Sequence, residues 1–419
     1  MYRPVLLVVA GICFLGWSMM PNVAHAQLLS REAAVQLALG QNPEVIAAQK
    51  VWEAARARIT QARALPDPEL ALEYEELPGV TRTGDFGERS FGATQTIEFP
   101  LKWWRRSQAA SQAAQATRLA VLEMSKLDIR TRVKVAYDRV LFAQKRLDYI
   151  LQDLQLAQNF LQKAQLRLEA GDVPQLEVLR AEVEAGRAAN RLAEARNALS
   201  MAKAELNTLL ARPSRAPLEM SGDLDYQPII LEMDKLQLLA LERRPDFLGA
   251  DWAVESSLSA QGTARAALLP DLNVGLFRQT IRGAAGEGNF WRVGLALDFP
   301  LWGAAQQRGE LAEAKAVAGQ AFAEKNSIRN QMVLEIESAF LDVQTAEKKV
   351  LLFQERILRE AERSFEVASR SYAEGKATYL ELLDAQKTLI EVREEYAAAL
   401  FDYRSALYRL ERASGGPLR

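Results

Sequence analysis

Two stretches of this chain, from about Asn42 to Leu210 and from about Arg244 to Leu410, repeat one another landmark for landmark. Asn42-Pro43 returns as Arg244-Pro245, Leu65-Pro66-Asp67 as Leu269-Pro270-Asp271, Phe99-Pro100-Leu101 as Phe299-Pro300-Leu301, and Glu169-Ala170-Gly171 as Ala373-Glu374-Gly375. Solenoid units recur every 20–50 residues or so. This much longer period describes one duplicated domain whose halves pack about a pseudo-twofold axis, so each echoed residue should do the same structural job twice. The expected division is a first repeat over 27–211, a linker over 212–233, a second repeat over 234–413 and a tail over 414–419.

Ahead of the repeats, Arg3 precedes an apolar run from Val5 to Trp17, then Pro21 and the small-residue exit Ala24-His25-Ala26. That is the pattern of a cleaved secretory signal over 1–26. The run is too short for a membrane-spanning helix of about 20 residues, and Cys13 sits inside it, away from a cleavage site where it could accept lipid. The same segment holds the only cysteine, the only histidine and one of the 52 basic residues, leaving 51 bases against 54 acids, a net −3. Without thiol or imidazole, disulfides, Cys or His metal sites, Cys nucleophiles and Ser-His-Asp triads are excluded. There is no glycine-rich phosphate loop, no acidic motif with catalytic spacing outside the helices and no basic field for nucleic acid. The expectation is a protein that is not an enzyme and has no cofactor or metal site.

Most of the chain reads as very long helix. From Leu101 to Ala170 there is neither proline nor glycine, and 70 residues at 1.5 Å each would reach about 105 Å. Val133, Val140, Leu147, Leu154, Leu161 and Leu168 recur every seven residues beside a second stripe of Ala136, Ala143, Ile150, Ala157 and Ala164, the pattern of a coiled-coil seam. A break at Gly171 to Pro174 is followed by a shorter heptad helix to about Leu210. The second half repeats the register, from about Gly303 to Ala373 and on to Leu410, at an offset of 203 or 204 residues that implies small insertions. Shorter helices open at Pro43 and Pro245, where a first-turn proline costs no hydrogen bond. Helix periodicity alone also fits an ordinary antiparallel coiled coil.

Each half further contains two alternating segments: about 69–77 and 90–99, then about 271–280 and 290–299. Leu70, Leu72 and Tyr74 share a face, as do Leu272, Val274 and Leu276, and Trp291, Val293, Leu295 and Leu297. Their length suits tilted strands crossing hydrocarbon. Four strands cannot close a barrel, and an open edge cannot face lipid, where unpaired N–H and C=O groups cost several kcal/mol each. Three copies would supply about twelve strands. The strands exit at Pro100 and Pro300 into the long helices. Trp103 and Trp104 follow one exit and Trp302 the other, with Lys102, Arg105 and Arg106 nearby, as in an aromatic and basic belt at a membrane interface; the alternative is that these rings pack between helices.

The order of signal, short helix, Pro-capped helix, two strands, long helix, glycine turn and helix, all duplicated, resembles the TolC-like outer membrane efflux proteins. The resemblance covers essentially the whole chain after the signal. It rests on Asn42-Pro43, the two Phe-Pro-Leu exits, and Tyr372-Ala-Glu-Gly375 followed by Tyr379-Leu-Glu-Leu-Leu-Asp384-Ala-Gln386. It implies a mainly α chain with a small β part, and a homotrimer whose β-barrel in outer membrane lipid continues as an α-helical barrel through the periplasm. Such a trimer is a passive duct, fed by an inner-membrane pump, proton-driven in this reading, through a periplasmic adaptor.

By the same resemblance, the turns at Gly171 and Gly375 sit at the periplasmic mouth and meet the adaptor. Glu381 and Asp384, three apart and so on one helix face, would ring the closed end. Six carboxylates about one axis should raise some of their pKa values or recruit a cation; otherwise these acids are solvated or paired with nearby bases. Subtracting 204 sets Glu177 opposite Glu381 but Arg180 opposite Asp384, so only the second hairpin presents both acids and is the expected gate. In the family a Tyr and an Arg of the second hairpin latch onto an acid of the first. Tyr372 and Glu177 match, whereas the Arg position is Ala377, with Lys376 beside it. The Trp-Trp pair and the missing lipid-accepting cysteine resemble the branch serving heavy-metal cation exporters. Drug efflux or type I secretion is the second cargo class, and a periplasmic coiled-coil adaptor or scaffold is the reading of another kind.

Overall fold

The computed structural model describes residues 28–418 except 78, 82, 284, 285 and 301–303. The signal over 1–26 and Trp302 lie outside the described residues. The first half runs α1 (Arg31–Gln41), α2 (Pro43–Arg63), β1 (Glu69–Glu75), β2 (Glu88–Ile97), α3 (Pro100–Thr117), a π-turn (Arg118–Glu123), α4 (Met124–Glu169) and α5 (Gln175–Leu209). The second runs α6 (Met233–Arg243), α7 (Pro245–Ala266), β3 (Asp271–Gly283), β4 (Gly286–Asp298), α8 (Ala304–Leu352), a π-turn (Phe353–Ile357), α9 (Leu358–Ala373) and α10 (Tyr379–Ala413).

The long helices form where the sequence places them, but each is interrupted by one π-turn, and the repeat offset explains both. Buried Ala114 and Ala318 lie 204 residues apart, whereas buried Ile129 and Met332, and Val133 and Ile336, lie 203 apart. The first π-turn falls between these levels and absorbs the extra residue of the first half. Buried Ile150 and Phe353 are still 203 apart, and Ala157 and Ala361 are 204 apart. The second π-turn begins at Phe353 and takes up the residue inserted there, as a single-residue insertion does inside an α-helix.

Echoed positions also share jobs when their residues differ. Buried Asn42 accepts the Glu44 N–H through Oδ1 and donates through Nδ2 to the Leu209 carbonyl at 2.9 Å, tying α2 to the end of α5. Its counterpart, buried Arg244, donates to the Ala413 carbonyl at the end of α10 and is held by Asp246 and Glu335. The main core surrounds this level, where α1, α6 and the linker wrap α4, α8 and α10. At its centre fully buried Asp138 accepts from Arg31, Arg404 and Tyr408.

The strands form one antiparallel sheet in the order β1-β2-β3-β4, joined across the halves by β2 and β3. β2 starts at Glu88, β3 runs on to Gly283 and β4 starts at Gly286, so pairing extends beyond the apolar alternation into polar residues, because the ladder bonds backbone to backbone and is indifferent to side chain. The register aligns Leu72, Phe91, Arg278 and Trp291, then Leu70, Ala93, Leu276 and Val293, then Val274 and Leu295, then Ile97, Leu272 and Leu297, on one face. The other face carries Glu69, Glu73, Glu75, Glu88, Thr94, Thr96, Asn273, Gln279, Arg292 and Asp298. Phe277 lies on that polar face over Gly92, where an added Cβ would fall 2.3 Å from the Leu276 carbonyl oxygen. β1 and β4 form the two edges of the sheet. Leu70, Leu72, Phe91, Trp291, Val293, Leu295 and Leu297 all stand more than half exposed. No helix among the described residues is long and apolar enough to cross a membrane.

Candidate functional site

Far from the sheet, both hairpins turn in the same way. At α4, the Gly171 N–H bonds the Leu168 carbonyl and the Asp172 N–H the Arg167 carbonyl; at α9, Gly375 bonds Tyr372 and Lys376 bonds Ser371. This paired 5→2 and 6→1 closure requires a left-handed residue after the helix, supplied by Gly171 at φ +80° and Gly375 at φ +74°. Beyond the turns the halves diverge. Pro174 precedes α5 without a side-chain cap, whereas Thr378 opens α10 with a capping box: its Oγ accepts the Glu381 N–H at 3.3 Å, and Glu381 Oε2 accepts the Thr378 N–H at 2.7 Å.

That capping box gives Glu381 a local role. The backbone N–H of Thr378, and then its hydroxyl, hold the carboxyl below its ordinary value. Asp384 is exposed one turn further on. Lys376 does not reach Glu177; it pairs with Glu374 of its own turn at 2.6 Å, a partner two residues away that demands less ordering. Arg180 is exposed and lines a cleft of about 230 Å³ with Leu176, Glu177, Tyr379 and Leu380.

The structure brings Tyr372 and Glu177 together across the hairpins: Tyr372 Oη donates to Glu177 Oε1 at 2.8 Å. Burial, then the bond to Glu177, push the Tyr372 hydroxyl up. Phe160 packs edge-on against both Tyr372 and Tyr379, and the Arg167 guanidinium lies 5.4 Å from the centre of the Tyr372 ring. Tyr379 is buried in this cluster, and its hydroxyl is pushed up to about 12, first by burial and then by Glu184.

A second tie, absent from the sequence reading, lies deeper between the hairpins. Asp153 of α4 and Glu184 of α5 are almost fully buried in the alanine seam and share Arg191, whose Nη2 lies 2.5 Å from Asp153 and 3.2 Å from Glu184. From α10, Gln386 donates to Asp153 at 2.8 Å and Lys387 approaches Glu184 at 3.4 Å. The sequence does carry a signal for this tie: Asp153 falls three residues after Ile150 and four before Ala157, where the stripe calls for an apolar side chain.

At the strand-to-helix exits, Pro100 opens α3 and Pro300 is followed by undescribed residues. Trp103 and Trp104 are each more than a third exposed, but the Trp103 indole donates to the Arg63 carbonyl at 2.9 Å, so its polar end closes α2. Arg106 likewise donates to the Ala62 and Ala64 carbonyls and pairs with Glu98, and Lys102 pairs with Asp271 at 2.8 Å. Both cations staple sheet to helices. Among the described residues no group of three or more acids, His or Cys could hold a metal ion.

Duplicated helical hairpins tied at their turns, with a two-faced sheet at the far end, define the architecture of an outer membrane channel. The chain belongs to the outer membrane efflux protein family, whose pattern matches residues 34–212 and 237–416. It is a passive channel of the outer membrane and not an enzyme. It is 30% identical over 292 residues to the cobalt-zinc-cadmium resistance protein CzcC of Cupriavidus metallidurans, covering 68% of this chain and 67% of that one. Its fold is similar to the solved outer-membrane channel OprN, with a TM-score of 0.76 at 22% identity over 92% of this chain and 90% of the other. It is equally similar to CusC, with a TM-score of 0.76 at 19% identity over 92% of each chain.

Proposed function

We propose that this chain is the exit duct of a three-part efflux system, assembled as a homotrimer and carrying heavy-metal cations across the outer membrane. The observation that carries the reading is the sheet: apolar on one face, polar on the other, and ending at two edges. In lipid those edges demand partners, and joining β4 of one copy to β1 of the next closes about twelve strands over three copies. The polar face would then line the lumen. Its Glu69, Glu73, Glu75, Glu88 and Asp298 outnumber Arg292, a charge balance that concentrates cations. The relative CzcC is described as a cobalt-zinc-cadmium resistance protein, which favours metal cargo over drugs or secreted protein. Selectivity resides in the inner-membrane pump, proton-driven in this proposal, and a periplasmic adaptor docks at the turns around Gly171 and Gly375.

The Tyr372–Glu177 bond and the aromatic cluster beside it hold the mouth shut in this scheme. The second hairpin is the part that moves, with Glu381 and Asp384 facing the axis and Arg180 flanking the latch cleft. Deletion of the gene should sensitise cells to cobalt, zinc and cadmium and raise their retained metal, with unchanged tolerance of dyes and antibiotics. Sensitivity to dyes and antibiotics alone would move the cargo to drugs. Recovery of a stable monomer from the aqueous fraction, without detergent and with its β content intact, would end the duct reading and favour a periplasmic scaffold.

A further inference from the structure

The strand ends remote from the helices carry an arginine cluster on the apolar face of the sheet. In each half the helices meet the strands at one end, so Glu75, Glu88, Gly283 and Gly286 mark the other strand ends, which in an outer membrane channel with periplasmic helices is the outer surface. Along the apolar face the register sets Arg278 in a row with Leu72, Phe91 and Trp291. The next row outward holds Tyr74, Arg89, Thr280 and Asn289, and the next Arg282 with Glu287. All three arginines are exposed.

Their surroundings fix them as donors at a boundary. Phe86, buried at the root of the outer connection, packs edge-on against Tyr74. Arg89 and Arg282 lie 5.0 and 4.1 Å from its ring centre. Arg282 also bonds the Gly84 carbonyl at 2.6 Å and pairs with Glu287 at 3.2 Å. Arg278 lies 5.5 Å from the centre of the Trp291 ring. No carboxylate pairs with Arg89 or Arg278 among the described residues. The acids of the same strand ends, Glu73, Glu75 and Glu88, are on the opposite, polar face. Apart from Glu287, which Arg282 pairs, the charge of these strand ends on the apolar face is positive and the acids are on the polar face.

Directly below this cluster the same face presents exposed Leu70, Leu276 and Val293. A molecule with acyl chains and a phosphorylated head would find both parts of itself matched, and guanidinium is the side chain best suited to phosphate. We propose that Arg89 and Arg278, supported by Arg282, bind the phosphates of anionic lipid headgroups in the outer leaflet, fixing the barrel's height in the membrane.

The test uses the detergent-purified full-length protein reconstituted into nanodiscs containing bisphosphorylated lipid A, dephosphorylated lipid A or zwitterionic phospholipid, with bound lipid counted by native mass spectrometry. Wild type should retain bisphosphorylated lipid A and show a higher unfolding temperature only in that lipid. The double variant Arg89→Gln, Arg278→Gln should bind it about 30-fold more weakly, from about 1 kcal/mol per basic residue at an anionic surface. Arg292→Gln, on the polar face against Phe277, should bind it as wild type does. Equal retention of dephosphorylated and bisphosphorylated lipid by wild type overturns the proposal without any variant. So does equal loss in Arg292→Gln, or displacement of the lipid by millimolar inorganic phosphate, which would make the site one for free phosphate.

Discussion

The two hairpins descend from one repeated sequence pattern, yet the first is clamped through buried acids, whereas the second is crossed by the more exposed Arg393–Glu362 pair. Below the level of Ile150, α4 continues as unbroken helix and buries Ile150, Asp153, Ala157 and Ala164, with Arg191 clamped between Asp153 and Glu184. At the matching level the second hairpin passes through the π-turn at Phe353–Ile357, and α9 beneath it buries only Ala361. Counting 203 residues on from Asp153 reaches Arg356, inside that π-turn, and counting 204 on from Glu184 and Arg191 reaches Thr388 and Glu395, so the clamp is not repeated. In the proposed gating, one inserted residue and three side-chain differences separate a strut from a lever.

The comparison breaks most readily at the clamp. Arg191→Ala should destabilise the first hairpin by about 3 kcal/mol, because it strips a cation from two buried carboxylates; its counterpart Glu395→Ala, exposed on α10, should change stability by under about 0.5 kcal/mol. Hydrogen exchange resolved along α5 and α10 separates the two, and equal effects would show that the hairpins are energetically alike.

The latch is next. Tyr372→Phe removes a hydrogen bond to a carboxylate, worth about 1.5 kcal/mol at a half-exposed position, and should raise single-channel conductance and antibiotic entry, as should Glu177→Ala; unchanged conductance in both would remove the latch from the mechanism. Alkaline titration probes the same cluster. Tyr372 and Tyr379 hold their protons more tightly folded than unfolded, so their contribution is complete below about pH 10 and is lost as pH rises, for Tyr379 through about 12. Tyrosinate absorbance should therefore rise together with exchange in α9 and α10, ahead of α4 and α5. The smallest contrast should be the turns: Gly171→Ala and Gly375→Ala each meet open space at the added Cβ and should cost the same backbone strain, about 1 kcal/mol, read as equal shifts in unfolding temperature.

Much of this is legible in the sequence because long-period duplication, proline and glycine are strong signals. The helical hairpins and the left-handed glycines are where the landmarks put them, and Tyr372 and Glu177, the pair the resemblance singles out, share a hydrogen bond. What stays hidden depends on geometry between segments. A π-turn has no residue signature, and only the shift of offset from 203 to 204 betrays one. Trp103 and Arg106 donate to carbonyls at the end of α2, contacts that a linear reading does not show. Lys376 looks available for the latch until Glu374, two residues away, takes it.

In the proposed trimer the seven residues of β1 would meet the thirteen of β4 in the next copy, so at most seven rungs could form at each seam. On that proposal the last ladder of each sheet requires another copy of the chain. Maturation of this protein should therefore slow disproportionately on dilution, and the half-finished sheet, not the helical shaft, is the part that chaperones of the envelope would have to shield.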